Sequence, residues 1–282
     1  MASAPADPPS RWRDLPQRAV TAVGFGALVL AAIWLGPGAF TALLALGAAA
    51  LSWEWVHLNG GRIRSVVGAA VPATVLAAGA LGVFRLYPAA FAVLALGFGI
   101  VWLLARLRGG RDGPAAWLAA GVLYIGVGGL SLISLRGEDA AGQASVLFLV
   151  LVVWASDIGA YVAGRAIGGP RLWPAVSPNK TWAGAAGGLA AAMAAGTAVA
   201  LVVGSSWLFA PLAAALLGIA SQAGDLLESA IKRHFRVKDS SHLLPGHGGA
   251  FDRLDGVLGA APVAALLALA AGPGREVWAW GG

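Results

Sequence analysis

The sequence predicts an all-α fold: a polytopic integral membrane protein with about nine transmembrane helices, N-terminus cytoplasmic and C-terminus outside. Uninterrupted Ala/Leu/Val/Gly runs repeatedly reach the roughly 20 residues that a helix needs to cross a bilayer. Of the 282 residues 59% are hydrophobic and only 11% charged, and mean hydropathy is +0.77, a balance that would aggregate as a soluble domain. The 41 glycines suit helices whose backbones approach closely in lipid. Cysteine is absent, which excludes disulfides and thiolate chemistry. In such a chain the net charge of +6 reports topology before partners, so nucleic-acid binding is not implied.

Taken in order, residues 1–18 form a polar, proline-rich cytoplasmic tail carrying Arg11, Arg13 and Arg18. The first span, 19–35, runs directly into more membrane sequence, which favours an uncleaved helix over a signal peptide. Further spans follow at 38–57, 65–84, 87–105, 115–135, 144–164, 183–204, 207–234 and 252–272. With the N-terminus inside, only Arg85, Arg136 and Arg275 of the 19 Lys and Arg fall outside, and reversal would invert that bias. Arg136 is flanked by Glu138 and Asp139. The expected organisation is the tail 1–18, N-terminal helices in 19–86, middle helices in 87–143 and a chemistry-bearing C-terminal region, 144–282. Ala, Gly and Arg usage suggests a GC-rich bacterial genome, and a multi-pass protein of the inner (plasma) membrane is the expectation.

Helix eight, about 28 residues and so roughly 42 Å long, exceeds a simple span and should reach the cytoplasmic interface. Within it Asp225, Glu228, Ser229, Lys232 and Arg233 form one polar stripe. A solvated face with internal ion pairs is the alternative, but the stripe begins inside a span, where ionisable residues usually face a cavity with a partner. Counted along their helices, Asp225 lies about 27 Å and Asp252 about 30 Å from the outer ends, which brings them to similar depth. Asp252 and Asp255 share a face at the start of the last helix, where the dipole favours carboxylates and capping accounts for one of them. Hard oxygen ligands of this kind suit Mg²⁺, and Asp225 with Asp252 is the expected metal pair.

Between these carboxylates lie Lys232, Arg233, Arg236, Lys238 and Asp239, and then Gly246-His247-Gly248-Gly249, whose glycines let backbone approach a ligand. His234 and His242 read as interfacial. A second cluster runs from Asp157 to Thr181 and includes Tyr161, Gly164, Arg165, Pro170 and Arg171. Its loop Ser177-Pro-Asn-Lys-Thr181 sets hydroxyls and a cation before a helix N-terminus, either an anion site or a plain cap. Asp157 is either a structural acid or part of a polar cavity. Glu54 with His57 reads as a lesser polar pair, structural or interfacial, and the 12 tryptophans as anchors near span ends.

The run Ser229 to Asp255, with Ser-x-Ile-Lys-Arg, Lys-Asp, Leu-Pro-Gly-His-Gly-Gly and Asp-Arg-Leu-Asp at their spacing, closely resembles the signature of phosphatidate cytidylyltransferases, the CDP-diacylglycerol synthases. Ser177 to Thr181 and Asp157 to Arg165 are similar to that family's upstream region. Two departures stand out: Ala183 where many relatives are acidic, and Ala250 where they carry a larger apolar residue. The resemblance implies a Mg²⁺-dependent reaction of CTP with phosphatidate at the cytoplasmic face of the membrane, giving CDP-diacylglycerol and pyrophosphate. It implies metal ligation by Asp225 and Asp252 with Asp255 in support, phosphate binding by Lys232, Arg233 and Lys238, and positioning by Ser229 and His247. Ser177, Lys180 and Thr181 would give a second phosphate contact and Arg253 a further substrate contact. The implied partners are CTP, phosphatidate, membrane lipids and a second copy in a homodimer. A CTP-dependent lipid kinase uses similar groups, and an ion-coupled secondary transporter would explain the intramembrane acids but not the Gly-His-Gly-Gly turn beside so many cations.

Overall fold

A computed structural model describes residues 15–109, 113–241 and 248–280. Among them are nine helices and one β-hairpin: α1 (Leu15–Leu35), α2 (Pro37–Leu58), α3 (Val66–Val83), α4 (Tyr87–Leu107), α5 (Ala115–Arg136), α6 (Ala140–Ala166), β1 (Arg171–Trp173), β2 (Ser177–Thr181), α7 (Trp182–Val203), α8 (Ala210–His234) and α9 (Phe251–Ala271). Helices α2 to α9 are each long and apolar enough to cross a membrane, and the described side chains of α1, Val23–Leu35, are apolar as well. His242, Gly246, His247 and the tail up to residue 14 lie outside the described residues.

Helix ends depart from the hydropathy pattern where capping chemistry decides them. Helix α6 starts at Ala140 rather than 144 because Asp139 accepts the Gly142 N–H at 2.8 Å. Helix α8 starts at Ala210 rather than 207: Pro211, lacking an N–H and with φ preset, belongs in a first turn. Its 25 residues still span roughly 37 Å, more than the hydrocarbon core. Ser177 to Thr181, expected as a loop, is the strand β2, antiparallel to β1 with Arg171 opposite Thr181 and Trp173 opposite Ser177. The Val176 N–H to Trp173 carbonyl bond closes the turn, and Pro178 is tolerated because a two-stranded ribbon has free edges. Thr181 ends the strand in extended conformation and caps α7, its Oγ1 accepting the Gly184 N–H at 3.0 Å.

Helices α3, α4 and α5 share a core that includes Val71, Leu94 and Val122, while α6 to α9 pack around Phe148, Leu149, Leu217 and Ala261. Leu51, Trp55, Ile231, Phe251 and Leu258 join α2, α8 and α9 in a third cluster. Trp55 and Trp278 are therefore core residues and not interface anchors; Trp55 donates to the Trp117 carbonyl, and Trp278 stacks on Phe148. Arg136 is buried, its guanidinium donating to the Ile33 carbonyl at 3.2 Å and so tying the end of α5 to the end of α1. Glycines let several helix pairs approach closely. A Cβ on Gly187 of α7 would lie 2.2 Å from that of Ala163 in α6, and one on Gly224 of α8 would lie 2.5 Å from the Asp255 carbonyl of α9.

Candidate active site

The α8 and α9 backbones touch at Gly224 and Gly259, where a Cβ on Gly259 would sit 2.7 Å from the Ala220 carbonyl and 2.8 Å from the Gly224 Cα. The next carboxylates toward the polar end of each helix are consequently brought together. Ligand oxygens of Asp225, Glu228 and Asp255 all lie within 4.8 Å of one another. Ser221, one turn before Asp225, points its buried hydroxyl at the Gly256 position, and among the described residues that hydroxyl has no hydrogen-bond partner. Hard oxygens at this spacing, with an unsatisfied hydroxyl beside them, fit a divalent cation.

Two lysines bracket the cluster. Lys180 of β2 reaches Asp225 at 2.5 Å, and Lys232 lies 2.6 Å from Glu228 and 2.8 Å from Asp252. Asp252, the expected partner of Asp225, meets the three-carboxylate group through Glu228 and also holds Lys232. Its other oxygen accepts the Gly249 N–H at 2.9 Å, the Ser240 N–H at 3.2 Å and the Ser240 hydroxyl at 3.2 Å. A bound cation would offset the mutual repulsion of carboxylates held this close.

Beside the cluster a cleft of about 660 Å³ is walled by α6, the hairpin, α7 and α8, with Arg165, Arg171 and Lys180 set against Asp157 and Asp225. Arg171 donates to the Asn179 carbonyl at 3.0 Å, bracing the hairpin, and Arg165 to the Tyr161 hydroxyl at 3.3 Å. Gln222 crosses from α8 to the Ala185 carbonyl at 3.1 Å and the Ser156 hydroxyl at 3.3 Å. Asp157 therefore belongs to a polar cavity.

The remaining sequence candidates distribute around this centre. Thr181 is buried as the α7 cap and borders the cleft, and Ser177 opens β2 opposite Trp173. Ser229 is half-buried one turn beyond Asp225; Arg233 donates to the Val176 carbonyl at 3.4 Å, linking α8 to the hairpin turn. Lys238 is exposed just after α8. Arg253 borders an apolar cavity of about 240 Å³ between α1, α2, α5, α6 and α9 and lies close enough to Asp157 for their charges to interact. Glu54 does not pair with His57, which is exposed and meets the Trp53 carbonyl at 2.8 Å. It is 1% exposed and accepts hydrogen bonds from the signature segment, including the Ala250 N–H at 2.8 Å and the Phe251 N–H at 2.7 Å. Its sequence signal was an acid inside an apolar run.

A model of the cytidylyltransferase family matches residues 16–270. The chain is 42% identical over 253 residues to a phosphatidate cytidylyltransferase of Brucella suis biovar 1 (strain 1330), covering 88% of this chain and 91% of that one. It is 39% identical over 272 residues to one from Pseudomonas aeruginosa, covering 92% and 99%. To one from Bacillus subtilis (strain 168) it is 33% identical over 257 residues, covering 87% and 94%.

Proposed function

Because the chain belongs to the cytidylyltransferase family, we propose that it converts CTP and phosphatidate to CDP-diacylglycerol and pyrophosphate, the activity for which its relatives are named. A phosphatidate oxygen attacks the α-phosphorus of CTP, and the bond from that phosphorus to the α,β-bridging oxygen breaks, releasing pyrophosphate. The phosphatidate phosphate is already anionic near neutral pH, so no strong base is required. The observation that carries this reading is the polar cleft itself: Lys180, Arg165 and Arg171 line it beside the Asp225, Glu228 and Asp255 cluster, between helices that can cross a membrane. Lys180 and the two arginines receive the phosphates, supplying charge where the transition state gathers it. Lys232, fixed by Glu228 and Asp252, adds positive charge beside the cluster, with Arg233 and Lys238 following it in the chain. Asp225, Glu228 and Asp255 would hold Mg²⁺, which when bound neutralises phosphate charge.

The acyl chains remain in the bilayer while the headgroup enters the cleft. The Lys/Arg distribution supports a cytoplasmic N-terminus and a cytoplasm-facing site in a bacterial plasma membrane, and the family likeness a homodimer. The test is incubation of purified protein with phosphatidate, Mg²⁺ and α-labelled CTP. Labelled CDP-lipid with released pyrophosphate supports the reading; a phosphorylated lipid with CDP would point to a lipid kinase, and ion-coupled uptake without nucleotide turnover to a transporter.

A further inference from the structure

Glu54 is joined to the signature segment from both of its flanks. One oxygen accepts from the Ser241 hydroxyl at 2.5 Å and the Ala250 N–H at 2.8 Å; the other accepts from the Phe251 N–H at 2.7 Å and the Ser240 hydroxyl at 3.2 Å. Those donors fill the acceptor positions of a carboxylate. Two of them are N–H groups at the start of α9, which has no side-chain cap of its own on Ala250. Gly249 lets the clasp close: a Cβ there would lie 1.9 Å from the Ser240 hydroxyl and 2.7 and 2.9 Å from the Glu54 oxygens.

The clasp continues toward the site. Ser240, whose one hydroxyl proton is shared between Glu54 and Asp252, also donates its N–H to Asp252, the residue after Phe251, and Asp252 holds Lys232. Lys232 in turn meets Glu228 of the carboxylate cluster. A helix otherwise remote from the chemistry is thus connected, through Ser240, Asp252 and Lys232, to the carboxylate cluster. Plain helix capping would need only the Ala250 and Phe251 N–H groups. The two serine contacts are superfluous to a cap, but they are what align residues 240–241 with Asp252.

We infer that Glu54 is a positioning residue for the transfer step, holding the Asp252–Lys232 arm in register with the Asp225, Glu228 and Asp255 cluster. This rests on the cytidylyltransferase reading. The cleft that would bind the substrate phosphates is built by α6, the hairpin, α7 and α8, while the hydrogen bonds of Glu54 among the described residues go to residues 240, 241, 250 and 251. Disturbing it should therefore lower kcat while leaving KM for both substrates in place.

The test uses the full chain in detergent with CTP, phosphatidate and Mg²⁺, comparing wild type, Glu54→Gln, Gly249→Ala and the double variant by initial rates and thermal unfolding. Glutamine keeps one acceptor oxygen, so about half the clasp survives. Each single variant should lower kcat at least about tenfold with both KM values within about twofold. The double variant should be little worse than either, because both break one unit. Folded variants with wild-type kcat, a rise in KM instead, or a loss that merely tracks the folded fraction would overturn the inference alone. So would failure of both variants to fold, which would make the clasp structural. A wild type that forms no CDP-lipid would overturn the enzyme reading, and this inference with it.

Discussion

Replacing Lys232 by methionine removes the ammonium group set 2.6 Å from Glu228 and 2.8 Å from Asp252 while keeping most of the side-chain volume. Side-chain exposures of 17% for Lys232, 2% for Glu228 and 12% for Asp252 leave solvent little part in screening the change. Deleting one partner of a buried ion pair typically costs about 3–5 kcal/mol. Asp252 retains its Ser240 and Gly249 donors and Glu228 its contact with Asp252, so the lower end applies, about 3 kcal/mol. For a chain of this size the unfolding midpoint should fall on the order of 10 °C. Differential scanning of the purified protein in detergent reads it directly. Adding Glu228→Gln to the methionine variant puts a neutral isostere with an N–H donor opposite Asp252 and should restore most of the loss. A single variant within about 2 °C of wild type, or a double variant no more stable than the single, would refute this account of how the charges are balanced.

Asp255→Asn should lower cytidylyl transfer at least about 100-fold and raise the Mg²⁺ concentration needed for half-maximal rate, read from metal titrations of initial velocity. Chelation with EDTA should abolish turnover reversibly, with added Mg²⁺ restoring it; activity persisting without divalent ions would remove the role assigned to the cluster. Gly259→Leu should abolish activity in protein that still inserts, because its side chain meets the α8 backbone, which cannot yield as a flexible side chain would. Rates normalised to folded protein measure that effect.

The helices were legible because a bilayer demands long apolar runs and little else in the sequence can imitate them. Their ends shifted where local chemistry outweighed hydropathy, at Asp139 for α6 and at Pro211 for α8. The hairpin was not legible: Ser177 to Thr181 is short, contains proline and shows no alternation, so its strand character depends on β1 across the turn. Depth along a helix could be counted, and it placed Asp225 and the α9 acids at one level. Which acid faces Asp225 depends on where the helices cross, and the Gly224–Gly259 contact selects Asp255, one turn from Gly259. Glu54 is separated by 186 to 197 residues from the groups it binds, a pairing no local pattern encodes.

The backbone contact between Gly224 and Gly259 also bears on how the protein meets membranes of different thickness. Helices respond to mismatch with the bilayer by tilting, and where bulky side chains separate them, neighbours can tilt by different amounts. Here α8 and α9 abut main chain to main chain, so they are obliged to tilt as one body. The spacing among Asp225, Glu228 and Asp255 is thereby insulated from lipid composition, which suits an active centre whose own reaction would alter the lipids around it.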